Sequence, residues 1–250
     1  MLFRSTAGTG VTLESLNNNT GTIALLSSGG INGGSGTVLM RAANYAFGGA
    51  DRTITTTGVL TIQPDADENS FASSFDNQYL NPVSVTGLTL GKSSNASAIT
   101  LSRAISLSGP VSIYGGSIDV NANITANSGN ILLDADTGST LNQSSTGILL
   151  DDAITIETVT SGNLTLIGRS GDTGSGFDGI DASSANTTTL RSAGNLTLQG
   201  YSYAASGSGR GVDLNNDVIA ASGTVSMTGQ HNTGATYALS LSGSTSITAG

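Results

Sequence analysis

Along much of this chain, aliphatic residues alternate with small polar ones for only a few positions before glycine, asparagine or serine ends the run. Leu164-Thr165-Leu166, Leu196-Thr197-Leu198, Leu88-Thr89-Leu90 and Ile99-Thr100-Leu101 show the pattern. A period of two puts the aliphatic side chains on one face of a strand and the threonine on the other. The flanking residues tolerate the positive φ angles and side-chain-to-backbone bonds of tight turns. Outside 64–82 no run keeps a helical period, so the pattern predicts many short strands joined by turns.

The runs recur. GNILLDA begins at Gly129, GNLTLIG at Gly162, GNLTLQG at Gly194 and GTVSMTG at Gly223, at intervals of 33, 32 and 29 residues. Between them GILLDDA starts at Gly147, GIDASSA at Gly179 and GVDLNND at Gly211, each 32 residues after the last. Upstream, GTVLMRA at Gly36, GVLTIQP at Gly58, GLTLGKS at Gly87 and GPVSIYG at Gly109 are spaced by 22, 29 and 22 residues. Two phrases sharing one period define a structural unit, and units of this length belong to solenoids. A strand this short is not stable alone. A coil of two or three such strands stacked on the next coil is, with main-chain bonds at about 4.8 Å per rung and one side of every strand facing a shared interior.

The expected fold is therefore all-β: one elongated parallel β-helix over residues 1–250, of roughly eight to eleven coils and about 40 to 50 Å long. Its most regular repeats, of about 32 residues, fall in 129–250. Stacking would set Asn130, Asn163 and Asn195 above one another at one corner, where amides can bond to neighbours above and below. Alternatively, asparagine simply suits the left-handed turn after glycine.

Composition narrows the class. The chain is 37% hydrophobic but only 10% charged and 4% aromatic, with no tryptophan and 35 glycines. That describes a folded chain without an aromatic-rich core rather than a disordered one. The net charge is −9 and the eight basic residues are scattered, which argues against nucleic acid as a partner. Cysteine is absent, so disulfides and thiolate metal sites are unavailable, as suits an exported bacterial protein that does without oxidative folding. No apolar run reaches the length of a membrane helix, so no membrane insertion is expected in this segment, and MLFRSTAGTG is too polar for a signal peptide. The sequence opens and closes in mid-pattern. It reads as a segment of a larger protein, whose remainder is its first expected partner.

Residues 81–135, NPVSVTGLTLGKSSNASAITLSRAISLSGPVSIYGGSIDVNANITANSGNILLDA, resemble the repetitive segments of giant bacterial surface proteins. These are the filamentous-haemagglutinin-like adhesins exported by two-partner secretion, with the related β-strand-repeat and autotransporter-passenger proteins. The resemblance implies a right-handed parallel β-helix (solenoid), a single elongated domain. It further implies a non-catalytic stalk or adhesive repeat, secreted or on the cell surface in association with the outer membrane. Host or neighbouring-cell surface glycans or proteins are then the candidate partners. The chain shows no two-partner secretion domain, outer-membrane barrel or anchoring motif, so the export route rests on the resemblance alone.

Specific chemistry is sought where the repeat breaks. In PDADENSFASSFDNQYLNP, residues 64–82, Phe71, Phe75 and Tyr79 are spaced i, i+4, i+8. That spacing predicts three rings on one face of a short helix ending before Asn81-Pro82, an irregular decoration on the solenoid. The rivals are an extended segment whose Phe71 and Phe75 fill gaps between rungs, and a carbohydrate-stacking platform. Asp65, Asp67, Asn69 and Asp76 follow the ligand order of a calcium loop, with Ser70 where glycine is expected. GSGFDGI at 174–180 fits the glycine-rich G-x-G-x-D-x-apolar calcium turn once.

Asp134, Asp136, Asp151 and Asp152 form the densest carboxylate group, a conceivable metal site or acid/base pair, with capping of exposed strand ends as the alternative. Parallel β-helices host pectin-degrading enzymes, whose sites need calcium-binding acids beside Arg or Lys, or converging carboxylates. Here Lys92 is the single lysine, the arginines stand apart, and a Ser-His-Asp triad would have to use His231, in the turn-like GQHNTGA. Thr89, Thr165, Thr197 and Ser226 would make an outward hydroxyl stripe, but where ice-binding β-helices use rows of T-x-T pairs these strands mostly offer a single Thr between two apolar residues, and Thr53-Ile54-Thr55 is an isolated pair. Asn-x-Ser/Thr triplets occur at Asn18, Asn95, Asn123, Asn142, Asn163, Asn186 and Asn195. No residue is assigned a catalytic, cofactor-binding or metal-binding role, no cofactor is expected, and the chain is read as not an enzyme. The alternative is a carbohydrate-active β-helix, a lyase, hydrolase or glycan binder.

Overall fold

The computed structural model describes residues 3–4, 10–15, 20–26, 30–65, 68–135, 145–151, 153–173, 175–183, 186–232 and 237–250. Every strand pairing among them is parallel, and in chain order a strand pairs with the strand three places later, except at one break in the second face and one in the third. The result is a parallel β-helix with three faces. The first face runs unbroken through nine strands, from Val11–Ser15 to Val225–His231. The second comprises Thr22–Ala24 and Asn44–Ala46, then seven strands from Phe75–Asp76 to Leu239–Ser242. The third comprises four strands ending at Leu80–Val83, then six from Ile105–Leu107 to Ser246–Ala249. One strand from each face makes a coil, giving nine complete coils among the described residues.

The strand phrases supply the interior. Leu164 lies opposite Leu196 and Leu166 opposite Leu198, all four fully buried, while Thr165 and Thr197 stack outward between them. On the second face Ile99, Ile118, Ile148, Ile180 and Val212 stack in one buried column; on the third, Ile124, Ile156, Leu190 and Ile219 do the same. A narrow three-sided interior takes one medium aliphatic side chain per position, so Leu, Ile and Val recur and aromatic rings are scarce.

The outward positions of the first face carry a row of hydroxyls, Thr61, Thr89 and Ser112, then Thr165, Thr197 and Ser226, with Leu132 between the two groups. Thr53 and Thr55 do point outward from the third face, but Asn81 and Val83 stand opposite them, so the pair is not repeated on the next rung.

The asparagine corner is a ladder of an unexpected kind. Asn130 Oδ1 accepts the backbone N–H of Asn163 at 2.9 Å, Asn163 Oδ1 that of Asn195 at 2.8 Å, and Asn195 Oδ1 that of Thr224 at 2.9 Å. Each side chain therefore supports the main chain of the next coil instead of another amide. The preceding Gly129 and Gly162 have φ of 107° and 110°, and a Cβ on Gly162 would collide with the Gly129 carbonyl. Glycine sets the turn and asparagine ties it to the next one.

Residues 64–82 correct the helical reading. No helix occurs among the described residues there; Phe75–Asp76 and Leu80–Val83 are strands of the second and third faces. Phe71 and Phe75, each only 4% exposed, turn inward, stack on one another with centroids 5.5 Å apart, and meet Tyr45 edge-on at 5.7 Å each. The second-face ladder is interrupted between Asn44–Ala46 and Phe75–Asp76. Rings fill the space that a regular rung would fill with aliphatic chains, so the i, i+4 spacing reflects gap-filling in extended chain. This leaves Phe71 and Phe75 unavailable as a carbohydrate platform.

The interior predicts a graded response. Leu166→Ala should destabilise by about 3 kcal/mol through the cavity it leaves, and Thr165→Ala by less than about 0.5 kcal/mol. Asn163→Ala should cost about 1 kcal/mol and Asn163→Asp much less, since aspartate keeps the acceptor. Gly162→Ala, which meets both a positive φ and a backbone clash, should cost about 3 kcal/mol. Urea unfolding of the five variants tests the order.

Candidate functional site

Coil length varies at one corner, where the first face passes to the second. In the coil that starts at Val111 the turn is tight: the first-face strand ends at Gly115 and Ile118 already begins the second face. In the coils starting at Leu164 and Leu196 the chain instead leaves at Gly168 and Gly200 and re-enters at Gly179 and Gly211. A Cβ on Gly168 would collide with the Gly179 carbonyl, and one on Gly200 with the Gly211 carbonyl. These glycines let departing and returning strands touch, so each excursion is pinched off at its base and the coil below stays undisturbed. Successive excursions also stack, through a parallel bridge between Ser175 and Ser206 and a 3.1 Å bond from Gly176 N–H to the Ser206 carbonyl. The result is a ridge of loops along one edge.

Carboxylates collect where the ridge meets the second face. Asp178, in the GSGFDGI turn, Asp181 on the strand Ile180–Ala182 and Asp213 on the strand Val212–Asn215 bring carboxylate oxygens within 4.8 Å of one another. Asp181 and Asp213 occupy the same outward register on neighbouring coils. Asp178 and Asp213 are buried. The Arg210 backbone N–H donates to Asp178, and its guanidinium pairs with Asp213, so one residue bridges two of the three acids. Three such carboxylates could ligate a hard divalent cation through oxygen, as calcium prefers, with Arg210 competing for the same oxygens.

Burial pushes the Asp178 carboxyl up to about 6, helped by the neighbouring Asp181 and Asp213 charges and opposed by the Arg210 N–H bond and charge. Asp217, fully buried, is likewise raised to about 6 by burial, against stabilising N–H bonds from Thr188 at 3.0 Å and Asn215 at 2.9 Å. Further along the same face, burial raises Asp119, and Asn121 offsets part of it. With its nitrogen turned toward the acids, the Asn121 amide donates to Asp119 at 2.8 Å and to Asp151 at 3.1 Å.

Of the four carboxylates grouped in the sequence, the two that are described, Asp134 and Asp151, stand on different faces. Asp134 lies on the first face, where Arg169 pairs with it at 3.2 Å, whereas Asp151 follows a second-face strand beside Asn121. The coil separates residues close in sequence onto different faces. Asp65 is buried in the interior turn, and Asp76 is a strand residue whose oxygens accept Gln78 N–H at 2.9 Å and the Ser102 hydroxyl at 3.1 Å. His231 is exposed at a strand end, opposite Ser202, whose hydroxyl donates to the Phe177 carbonyl at 2.7 Å, so that serine is engaged elsewhere. Asn18, Asp67, Asp136, Asn142, Asp152 and Gly174 lie outside the described residues.

Among the Asn-x-Ser/Thr triplets, Asn95 is buried, accepting Phe71 N–H and donating to the Tyr114 carbonyl at 2.9 Å. Asn123 accepts Thr155 N–H at 2.8 Å, and Asn163 and Asn195 belong to the ladder. These asparagines serve the turns. The acid cluster itself was missed in the sequence, although its signal was there: GIDASSA and GVDLNND place an aspartate at the same step of the second phrase. No known family, curated protein or solved structure matches the chain.

The raised acids fix the sign of one pH effect. A carboxyl whose folded pKa exceeds its unfolded value binds protons more readily in the native state, so its penalty is full above about pH 6 and relieved as pH falls toward the unfolded value. Between about pH 7 and pH 4.5, the Tm of the wild type should therefore gain a few degrees relative to Asp178→Asn. Thermal melts of both proteins across that range provide the check; parallel pH curves would refute the assignment.

Proposed function

We propose that this chain is a non-catalytic stalk or adhesive repeat segment of a large secreted or cell-surface bacterial protein, of the filamentous-haemagglutinin-like or autotransporter-passenger kind. The observation that carries this reading is the first face, nine strands in one uninterrupted parallel ladder. A continuous hydrogen-bonded ladder resists bending and stretching along its length, and a solenoid extends by adding coils without redesigning the ones before. The acidic balance supports display in an aqueous exterior: Asp76, Asp119 and Asp181 take outward positions on the second face, and the net charge of −9 disfavours self-association. The placement of Asp134 and Asp151 on different faces and the inward turn of Phe71 and Phe75 support this reading over a carbohydrate-active β-helix that would use those residues.

Labelling intact producing cells with antibodies raised against residues 129–250 tests the proposal. Staining without permeabilisation, removed by external protease, is the expected result. Staining that appears only after permeabilisation would overturn it.

A further inference from the structure

The loop ridge has a second side, facing away from the acids. There Tyr201 and Tyr203 line a groove of about 200 Å³ with Gln230, His231 and Asn232 of the next coil. The strand Leu196–Ser202 alternates inward and outward, so Ser202 is buried while the two tyrosines on either side of it stay half-exposed. Gln230 lies opposite Tyr201 and His231 opposite Ser202, and both are exposed. Two phenol rings are thus set beside the side-chain amides of Gln230 and Asn232, while His231, in register with the inward Ser202, contributes its backbone to the groove.

The walls of the groove are fixed. Tyr203 N–H donates to Ser170 Oγ at 2.9 Å and Asn232 N–H to the Ser202 carbonyl at 2.9 Å, so the backbone beyond each strand is tied to its neighbour. The Arg169 guanidinium sits 5.4 Å from the centre of the Tyr201 ring and holds it from one side, while Asp134 takes up the charge of that arginine. Such preorganisation lowers the entropy lost on binding.

We propose that this groove binds one neutral pyranose ring of a glycan. A sugar ring offers a face of C–H groups that packs on an aromatic side chain and a rim of hydroxyls that both donate and accept. Gln230 and Asn232 each present one acceptor and two donors. No carboxylate lines the groove and its adjacent arginine is already paired, which favours a neutral ring over an acidic one. The volume suits a single ring, being smaller than the pockets that hold drug-sized ligands. The tyrosines escaped notice in the sequence because Tyr201 stands at a strand position where the neighbouring copies carry arginine and glutamine, and Tyr203 lies just past the strand end.

The site stands whether or not the chain is a stalk, so surface labelling and sugar binding can fail separately. Methyl β-D-galactopyranoside, methyl β-D-glucopyranoside and methyl α-D-mannopyranoside, with methyl β-D-glucuronide as the anionic arm, are titrated into the isotopically labelled chain and followed by NMR. Saturable shifts confined to 200–203 and 230–232, at millimolar affinity, are expected for at least one neutral glycoside. Tyr203→Ala and the exposed Gln230→Ala should each weaken it about tenfold, and Tyr203→Phe by less than about threefold, with unchanged melting of Gln230→Ala showing that the fold is intact. Tightest binding of the glucuronide, no saturable shift with any neutral glycoside up to about 100 mM, or wild-type affinity in both alanine variants would overturn the proposal.

Discussion

The structure depends on one constraint: each coil must present its strands in register with the coil below, because the main-chain bonds between coils are what hold the short strands in place. Extra residues cannot be absorbed within a face without shifting a strand by one position and turning its aliphatic side chains outward. They are expelled at a corner instead. The register makes this visible: Val111 to Ile131 spans a short coil, while Ile131 to Leu164 and Leu164 to Leu196 span long ones, yet the leucine and isoleucine columns stay aligned through all of them. Glycine at the pinch point allows the excursion to close, since any Cβ there would strike a backbone carbonyl.

Stacking in register has an electrostatic consequence that a globular fold escapes. A charge on an outward position has its equivalent one rung away, close enough for strong repulsion if both carry the same sign. The chain handles this in several ways. Glu14 meets Arg41 at 2.7 Å, and Glu157 stands opposite Arg191. Leu149 separates Asp119 from Asp181 on the second face. Among the described residues two acids stack directly only at Asp181 and Asp213, and there Arg210 bridges Asp213 to Asp178. Asp178 is raised mainly by burial, and the charges of Asp181 and Asp213 add to it.

The solenoid was legible because its signal is repeated: each GNLTL-like phrase reports the same corner and the same strand, so noise in one copy is corrected by the next. The two tandem phrases even give two of the three faces. What was not legible was whatever depends on how the coil wraps. Asp134 and Asp151 look adjacent in a list of acids, but a corner separates them, whereas Asp178 and Asp213 look remote and are brought together by the 32-residue period. Phe71, Phe75 and Tyr79 mimic a helical face because four residues also suffice for an extended chain to pass from a corner into a strand. The asparagines were placed correctly at one corner, but their partner proved to be main chain, because a corner amide reaches the next coil's N–H before it reaches the next amide.

The same constraint explains why specific chemistry belongs at the ridge. Inward positions are committed to the aliphatic columns, and outward positions within a strand can change only as single side chains on a flat surface. A loop pinched off between two glycines can change length and composition while leaving the registers on both sides intact. It also gains depth, because successive loops stack and leave grooves between them. Acids on one flank of the ridge and tyrosines on the other show how different the two surfaces of such a loop stack can be, although the strands beneath them are nearly identical copies.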